Sequence, residues 1–187
     1  MIKLILRWLL DLFIWFLAVV VGFIAYPLLP KDKFVKLERG QGIFKWKWAD
    51  KIWGNEKDGL TGDFGYYRDH VNKSIKDYPK WSWPFMAIIV PLRKKFPHFW
   101  WACVRNPANN LERHIGPSGI VTSIERKKDL TIFTVDRNGK KRKGFFYYTP
   151  HNTVMFKIGY KFWPDAYKVG DRFDGALAFS IQKGHKN

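Results

Sequence analysis

The sequence predicts an α+β chain: an N-terminal transmembrane helix, then a mixed region, then a small antiparallel β-sheet or partial barrel. Three observations carry that prediction. Residues 12–29, LFIWFLAVVVGFIAYPLL, are an uncharged apolar run long enough to cross a bilayer. From Gly119 onward, segments rich in branched and aromatic residues alternate with turn residues. The stretch between is loop-rich with short apolar runs. The boundaries fall at 1–30 for the anchor, 31–53 for a basic and aromatic juxtamembrane segment, 54–116 for the loop-rich helical region and 117–187 for the β region.

The helix is read first. Extending it back to Leu4 brings in Arg7 and Asp11, which stand four apart and so share a helix face where they can pair. Arg7 near the helix end can also snorkel to headgroups. Trp8 and Trp15 toward one end and Tyr26 at the other suit interfacial rings, and Pro27 and Pro30 should stop the helix. A cleaved signal peptide would need small residues at its cleavage site, whereas Phe23 lies two before Ala25. A helix lying flat in the interface would need a polar face, which 12–29 lack, so a single span is the expectation. Lys31, Lys33, Lys36, Arg39, Lys45 and Lys47 outnumber Lys3 and Arg7 around it, which favours a cytoplasmic C-terminal domain.

The 187 residues leave room for one domain beside the span, and the net charge is +17. Such basicity selects anionic partners, lipid headgroups before nucleic acid in a chain that already carries a membrane segment. Cys103 is the only cysteine, so no intramolecular disulfide forms. With 10 Trp, 16 Phe and 8 Tyr, the core should be aromatic, with some rings toward lipid.

Along the rest of the chain, Phe44, Lys45, Trp46, Lys47 and Trp48 alternate as a strand with one aromatic face would. Residues 54–70 read as a structured loop. Trp81 to Leu92, bracketed inside by Pro84 and Pro91, is too short to span and reads as a buried segment rather than one dipping into the interface. Phe96 to Arg105 reads as a short helix ending before Pro107. About five strands follow, at 120–125, 130–135, 145–148, 154–162 and 176–181, with a hairpin turn at Arg137-Asn138-Gly139-Lys140. Gly159, Gly170 and Gly175 should break the later strands or mark bulges.

Three groups of residues are candidates for binding. Asp58 and Asp63, with His70 downstream, offer ligands for a hard cation, but the EF-hand spacing is absent and Lys57 sits within the loop, so local Asx turns are the simpler reading. Arg105, Asn106, Asn109 and Asn110 surround Pro107 and could hold a headgroup, or could stop a helix while Arg105 pairs with Asp58 or Asp63. Lys140, Lys141, Arg142 and Lys143 precede Phe145-Phe146-Tyr147-Tyr148 and could hold single-stranded nucleic acid, anionic lipid or only solvent. In a strand, Phe145 and Tyr147 face opposite to Phe146 and Tyr148, so at least one pair should be core. No glycine-rich phosphate loop, cysteine cluster or nucleophile–base set stands out, and neither a catalytic residue nor a cofactor is assigned.

The apolar segment, the NEKDGLTGD loop, the WWACVRNPANN stretch and the late FKIGYKF strand occur in an order that resembles a family of uncharacterised membrane proteins encoded by tailed bacteriophages. The resemblance implies a phage or prophage origin and carries over no active site. The family's loop has an Asn-Pro-Leu-Asp-Gly-Asp arrangement; here Glu56, Lys57 and Thr61 make it longer and less acidic. The leading expectation is a non-enzymatic, membrane-anchored phage accessory or minor virion protein that contacts lipid and a phage or host envelope protein. The alternatives are an enzyme acting on envelope lipid or glycan, with Asp58, Asp63, His70 and Arg105 in one cleft, and a membrane-tethered nucleic-acid binder using Lys140 to Lys143.

Overall fold

The computed structural model describes residues 1–28, 45–54, 71–149, 154–163 and 165–183. The juxtamembrane residues 31–44 and the loop residues 55–70, with Asp58, Asp63 and His70, lie outside those residues. The chain is mixed helix and sheet, as its sequence predicts, and divides into two compact units. One comprises Met1–Trp15 with Leu111–Asn187, the other Phe16–Asn110. Helix α1 (Ile2–Leu28) contributes its beginning to the first and its remainder to the second.

The first unit is built on a six-stranded antiparallel sheet in the order β5-β1-β2-β3-β4-β6. Its strands are β1 (Gly119–Lys127), β2 (Leu130–Arg137), β3 (Lys140–Tyr148), β4 (Val154–Tyr160), β5 (Arg172–Phe173) and β6 (Leu177–Lys183). The strand beyond the expected five is β5, whose two residues are too short to register as a pattern. The sheet curls into a half-barrel, and the connection between its edges shows why. Phe173 pairs with Gly119 at one edge and Leu177 with Tyr160 at the other. In a flat sheet those edges would stand about 24 Å apart, whereas the chain from Phe173 to Leu177 reaches at most about 14 Å.

Local chemistry fixes the register. Arg137 pairs with Lys140 across Asn138 and Gly139, both at positive φ (54° and 78°), the type I′ geometry that matches strand twist. Asp136 Oδ1 accepts the Gly139 N–H at 2.8 Å. Gly159 sits at φ 111° within β4, where a Cβ would lie 2.1 Å from the Phe145 carbonyl oxygen, so only glycine lets the two strands approach.

Both faces of β3 are used. Phe146 stacks on Tyr148 at 5.8 Å, and both meet Trp163 edge-on, while Phe145 takes Trp8 of α1 at 6.0 Å. The core otherwise gathers Val121, Phe133, Val135, Phe162 and Phe173, with Phe133 and Phe162 stacked at 4.3 Å.

In the second unit, α2 (Lys47–Trp53) replaces the strand expected over 44–48 among the described residues. The alternation of Trp46, Lys47 and Trp48 is too short to bind a strand partner, and the decisive spacing is Ala49 with Trp53. These residues stand one helical turn apart, and both are buried. Helix α3 (Trp83–Lys95) covers most of the apolar stretch from Trp81 to Leu92. It corrects the buried reading: Phe85 and Ile88 are each 65% exposed, and only Val90 and Arg93 of the helix are buried.

Next come α4 (Pro97–Trp100), a π-helical turn (Trp101–Arg105) and α5 (Asn106–His114). Pro107 therefore does not stop the helix. The Asn106 N–H reaches back five residues to the Trp101 carbonyl, and this wider turn takes up the proline that a regular α-helix would reject.

Candidate membrane-facing surface

Helix α1 is 27 residues long, about 40 Å. In the first unit Leu4, Trp8, Asp11 and Leu12 turn toward the protein, while Ile2, Leu6, Leu9 and Phe13 are exposed. In the second unit Ala18, Gly22, Ala25 and Tyr26 turn toward the protein, while Phe16, Val20, Ile24 and Leu28 are exposed, with Ile24 at 68%. The helix is long and apolar enough to cross a membrane.

The protein-facing side carries polar ties in each unit. In the first, Asp11 is only 2% exposed; its Oδ1 accepts the Arg7 Nε–H at 3.1 Å and its Oδ2 the Tyr160 hydroxyl at 2.8 Å. Arg7 Nη2 also donates to the Ile115 carbonyl at 2.6 Å. Arg142 Nη1 donates to Ile115 and Gly116, and Arg137 Nη1 to Arg113 and His114. Three guanidinium groups thus meet the carbonyls left open where α5 ends, at the negative pole of its dipole.

In the second unit, the Trp53 indole N–H donates to the Ala18 carbonyl of α1 at 3.0 Å. Gly22 makes room for that ring, since a Cβ there would lie 2.6 Å from its nitrogen. Cys103 Sγ contacts the Gly22 carbonyl at 3.5 Å, and Phe23 and Tyr26 meet Phe99 edge-on. A second apolar stripe lies open around α3: Trp81, Phe85, Ile88, Leu92 and Phe96 follow a spacing of three or four residues. Trp46 and Trp48 are also exposed and stack at 5.9 Å.

The residues singled out in the sequence fall as follows. Asn106 Nδ2 donates to the carbonyls of Trp53 and Gly54, and Asn110 Nδ2 to those of Ile52 and Gly54, at 2.7 to 3.2 Å. They cap the C-terminal end of α2. Arg105 Nη1 donates to Asn109 Oδ1 at 2.6 Å, while its proposed partners Asp58 and Asp63 lie outside the described residues. Lys140, Lys141 and Lys143 are exposed near the β2–β3 turn, and Arg142 is engaged at the end of α5. Among the described residues, no three His, Cys, Asp or Glu side chains gather to hold a metal ion.

Sequence reasoning paired Arg7 with Asp11 but missed Tyr160, which lies 149 positions away and carries no local signal. It also missed Arg93. A helical wheel over 81–96 would have found it, because it falls off the stripe of Trp81, Phe85, Ile88 and Leu92 and onto the side of Val90. Compared with protein-family models, with curated proteins and with solved structures, the chain matches none.

Proposed function

We propose that this chain is a membrane-attached protein, held by α1 lying in the plane of one leaflet, whose work is interaction at the bacterial envelope. The observation that carries the reading is the one-sidedness of α1. In each unit the helix turns one side to protein and leaves an apolar side exposed, with Ile2, Leu6, Leu9 and Phe13 in the first and Phe16, Val20, Ile24 and Leu28 in the second. The sequence argument against a flat helix was the lack of a polar face. Protein packed on that side supplies what the side chains do not, leaving the outer stripe for lipid.

The magnitudes favour the in-plane orientation. If α1 crossed the bilayer, the carbonyl of Ala18 would sit near the hydrocarbon centre and bring α2 with it, including exposed Lys47 and Lys51. Each lysine at that depth costs about 2.5–3.5 kcal/mol. On the surface, the same lysines gain about 1 kcal/mol each near anionic headgroups. The exposed Trp46, Trp48 and Trp81 suit that depth as well. The resemblance of its sequence blocks to phage membrane proteins supports the setting we propose: an accessory or minor virion protein at the inner membrane, facing the cytoplasm with its basic surface.

A crossing orientation is the second reading, supported by the length and hydropathy of α1. Cysteines introduced singly as Ile2→Cys and Leu28→Cys separate the two, because native Cys103 is buried and adds little background. An impermeant maleimide that labels both ends from the same side of the membrane supports the in-plane helix, and labelling from opposite sides supports a span. Recovery of the intact chain in the soluble fraction after carbonate washing would overturn membrane attachment itself.

A further inference from the structure

Arg93 is the buried charge that no feature above explains. It lies in the last turn of α3, next to exposed Leu92, and is 5% exposed. Its Nη1 donates to the Tyr78 hydroxyl at 3.0 Å, and its guanidinium carbon lies 5.9 Å from the centre of the Tyr78 ring. Its Nε and Nη2 are buried and have no hydrogen-bond partner among the described residues.

These two nitrogens are a matched pair. Nε–H and one Nη2–H point the same way from one edge of the guanidinium plane, the fork that binds two oxygens of a phosphate or carboxylate in parallel. Tyr78 holds the third nitrogen and so fixes the plane. Leaving a charged fork buried and unpaired is strongly destabilising, and buried polar groups in folded proteins almost always have partners. Asp77 is no such partner, since its Oδ2 accepts from the Ser74 N–H and hydroxyl. The surroundings are cationic: Lys94 and Lys95 are exposed beside Arg93, and Lys73 Nζ lies 6.0 Å from the centre of the Tyr78 ring.

We propose that the unpartnered edge of Arg93 binds the phosphate of a phospholipid headgroup, with Lys94 and Lys95 selecting an anionic lipid. The inference rests on the membrane attachment argued above and adds a specific headgroup site to it. The exposed stripe of Phe85, Ile88 and Leu92 supplies the apolar contact for the acyl chains of the same lipid. The surrounding chain shields both nitrogens, so the phosphate enters only as that covering shifts.

The test uses the full chain in a phosphate-free maltoside detergent, with arginine side chains labelled with ¹⁵N. Short-chain phosphatidylglycerol should move the Arg93 Nε–H resonance saturably. Arg93→Lys keeps the charge but loses the fork and should weaken this binding, read by titration calorimetry, about tenfold or more, while vesicle flotation driven by α1 persists. Failure of the wild-type chain to float would remove the attachment on which the site rests. Flotation without movement of the resonance would overturn the site alone. A resonance moved by inorganic phosphate but not by the lipid would overturn the lipid assignment. A response to acetate alone would overturn the phosphate assignment. The wild-type resonance needs no variant, so the proposal stays testable even if Arg93→Lys fails to fold.

Discussion

At the residue scale, the first unit depends on a carboxylate that its surroundings would reject were it unpaired. Asp11 sits on an apolar helix, and Arg7 and Tyr160 help make it tolerable there. Asp11→Ala takes away the carboxylate to which the buried Tyr160 hydroxyl donates, while half-exposed Arg7 can turn to water. The expected loss is about 1–3 kcal/mol, read as a lower urea midpoint with an unchanged slope; Tyr160→Phe should cost less. Asp77 makes a second prediction. Hydrogen bonds from the Ser74 backbone, with help from its hydroxyl and from nearby Lys73 and Lys94, hold this carboxyl below its ordinary range. Because the folded value is depressed, the stabilisation is complete above the ordinary carboxylate pKa and disappears as pH falls through the lowered one. Protection of the Ser74 amide against exchange, relative to the unfolded rate at the same pH, should therefore fall across the acid side of the titration, and Asp77→Asn should flatten the response. The Arg7–Asp11 spacing could be read in advance, because i and i+4 share a helix face. The Tyr160 contact could not, since long-range pairing depends on the tertiary fold.

At the element scale, helix ends are tied down by side chains from elsewhere. Asn106 and Asn110 present their amides to the last carbonyls of α2, and three arginines do the same for α5. Asn110→Ala removes donors to Ile52 and Gly54 and should cost about 1–2 kcal/mol, with faster amide exchange confined first to α2. The β-hairpin and the later strands were legible because their cues are local: Asn138-Gly139 for the turn, branched and aromatic runs for the ladder. The stretch from Phe44 to Trp48 reads as a strand because its alternation satisfies that pattern as well as a helix entry, and the burial of Ala49 and Trp53 shows that Lys47 and Trp48 instead begin α2. Pro107 misled for another reason. A stop signal holds for regular α-geometry, and the preceding π-turn removes the conflict.

At the scale of the whole molecule, the fold class and the apolar helix were legible, since both follow from patterning over many residues. The open side of α3 was not, because an apolar run looks alike whether it is packed in a core or exposed. The net charge of +17 and the exposed stripes make separate predictions for membrane binding. Raising salt should slow and weaken initial capture by anionic vesicles, because surface charges are screened over about 8 Å at physiological ionic strength. Protein already bound should resist the same salt, since apolar contact with lipid is not screened. Association and release measured by stopped-flow at two salt concentrations would check both halves.

The bond between Asp11 and Tyr160 also sets an order of events during synthesis. The two residues are separated by 149 positions, so at about 5–20 residues per second roughly 7 to 30 seconds pass between their appearance at the ribosome. Throughout that interval α1 exists without the sheet that will cover its inner face. A helix this apolar, left uncovered for so long, has the bilayer or a chaperone as its ready partner. On the membrane attachment proposed above, the bilayer is the surface on which this protein assembles, and the sheet closes over a helix already in place.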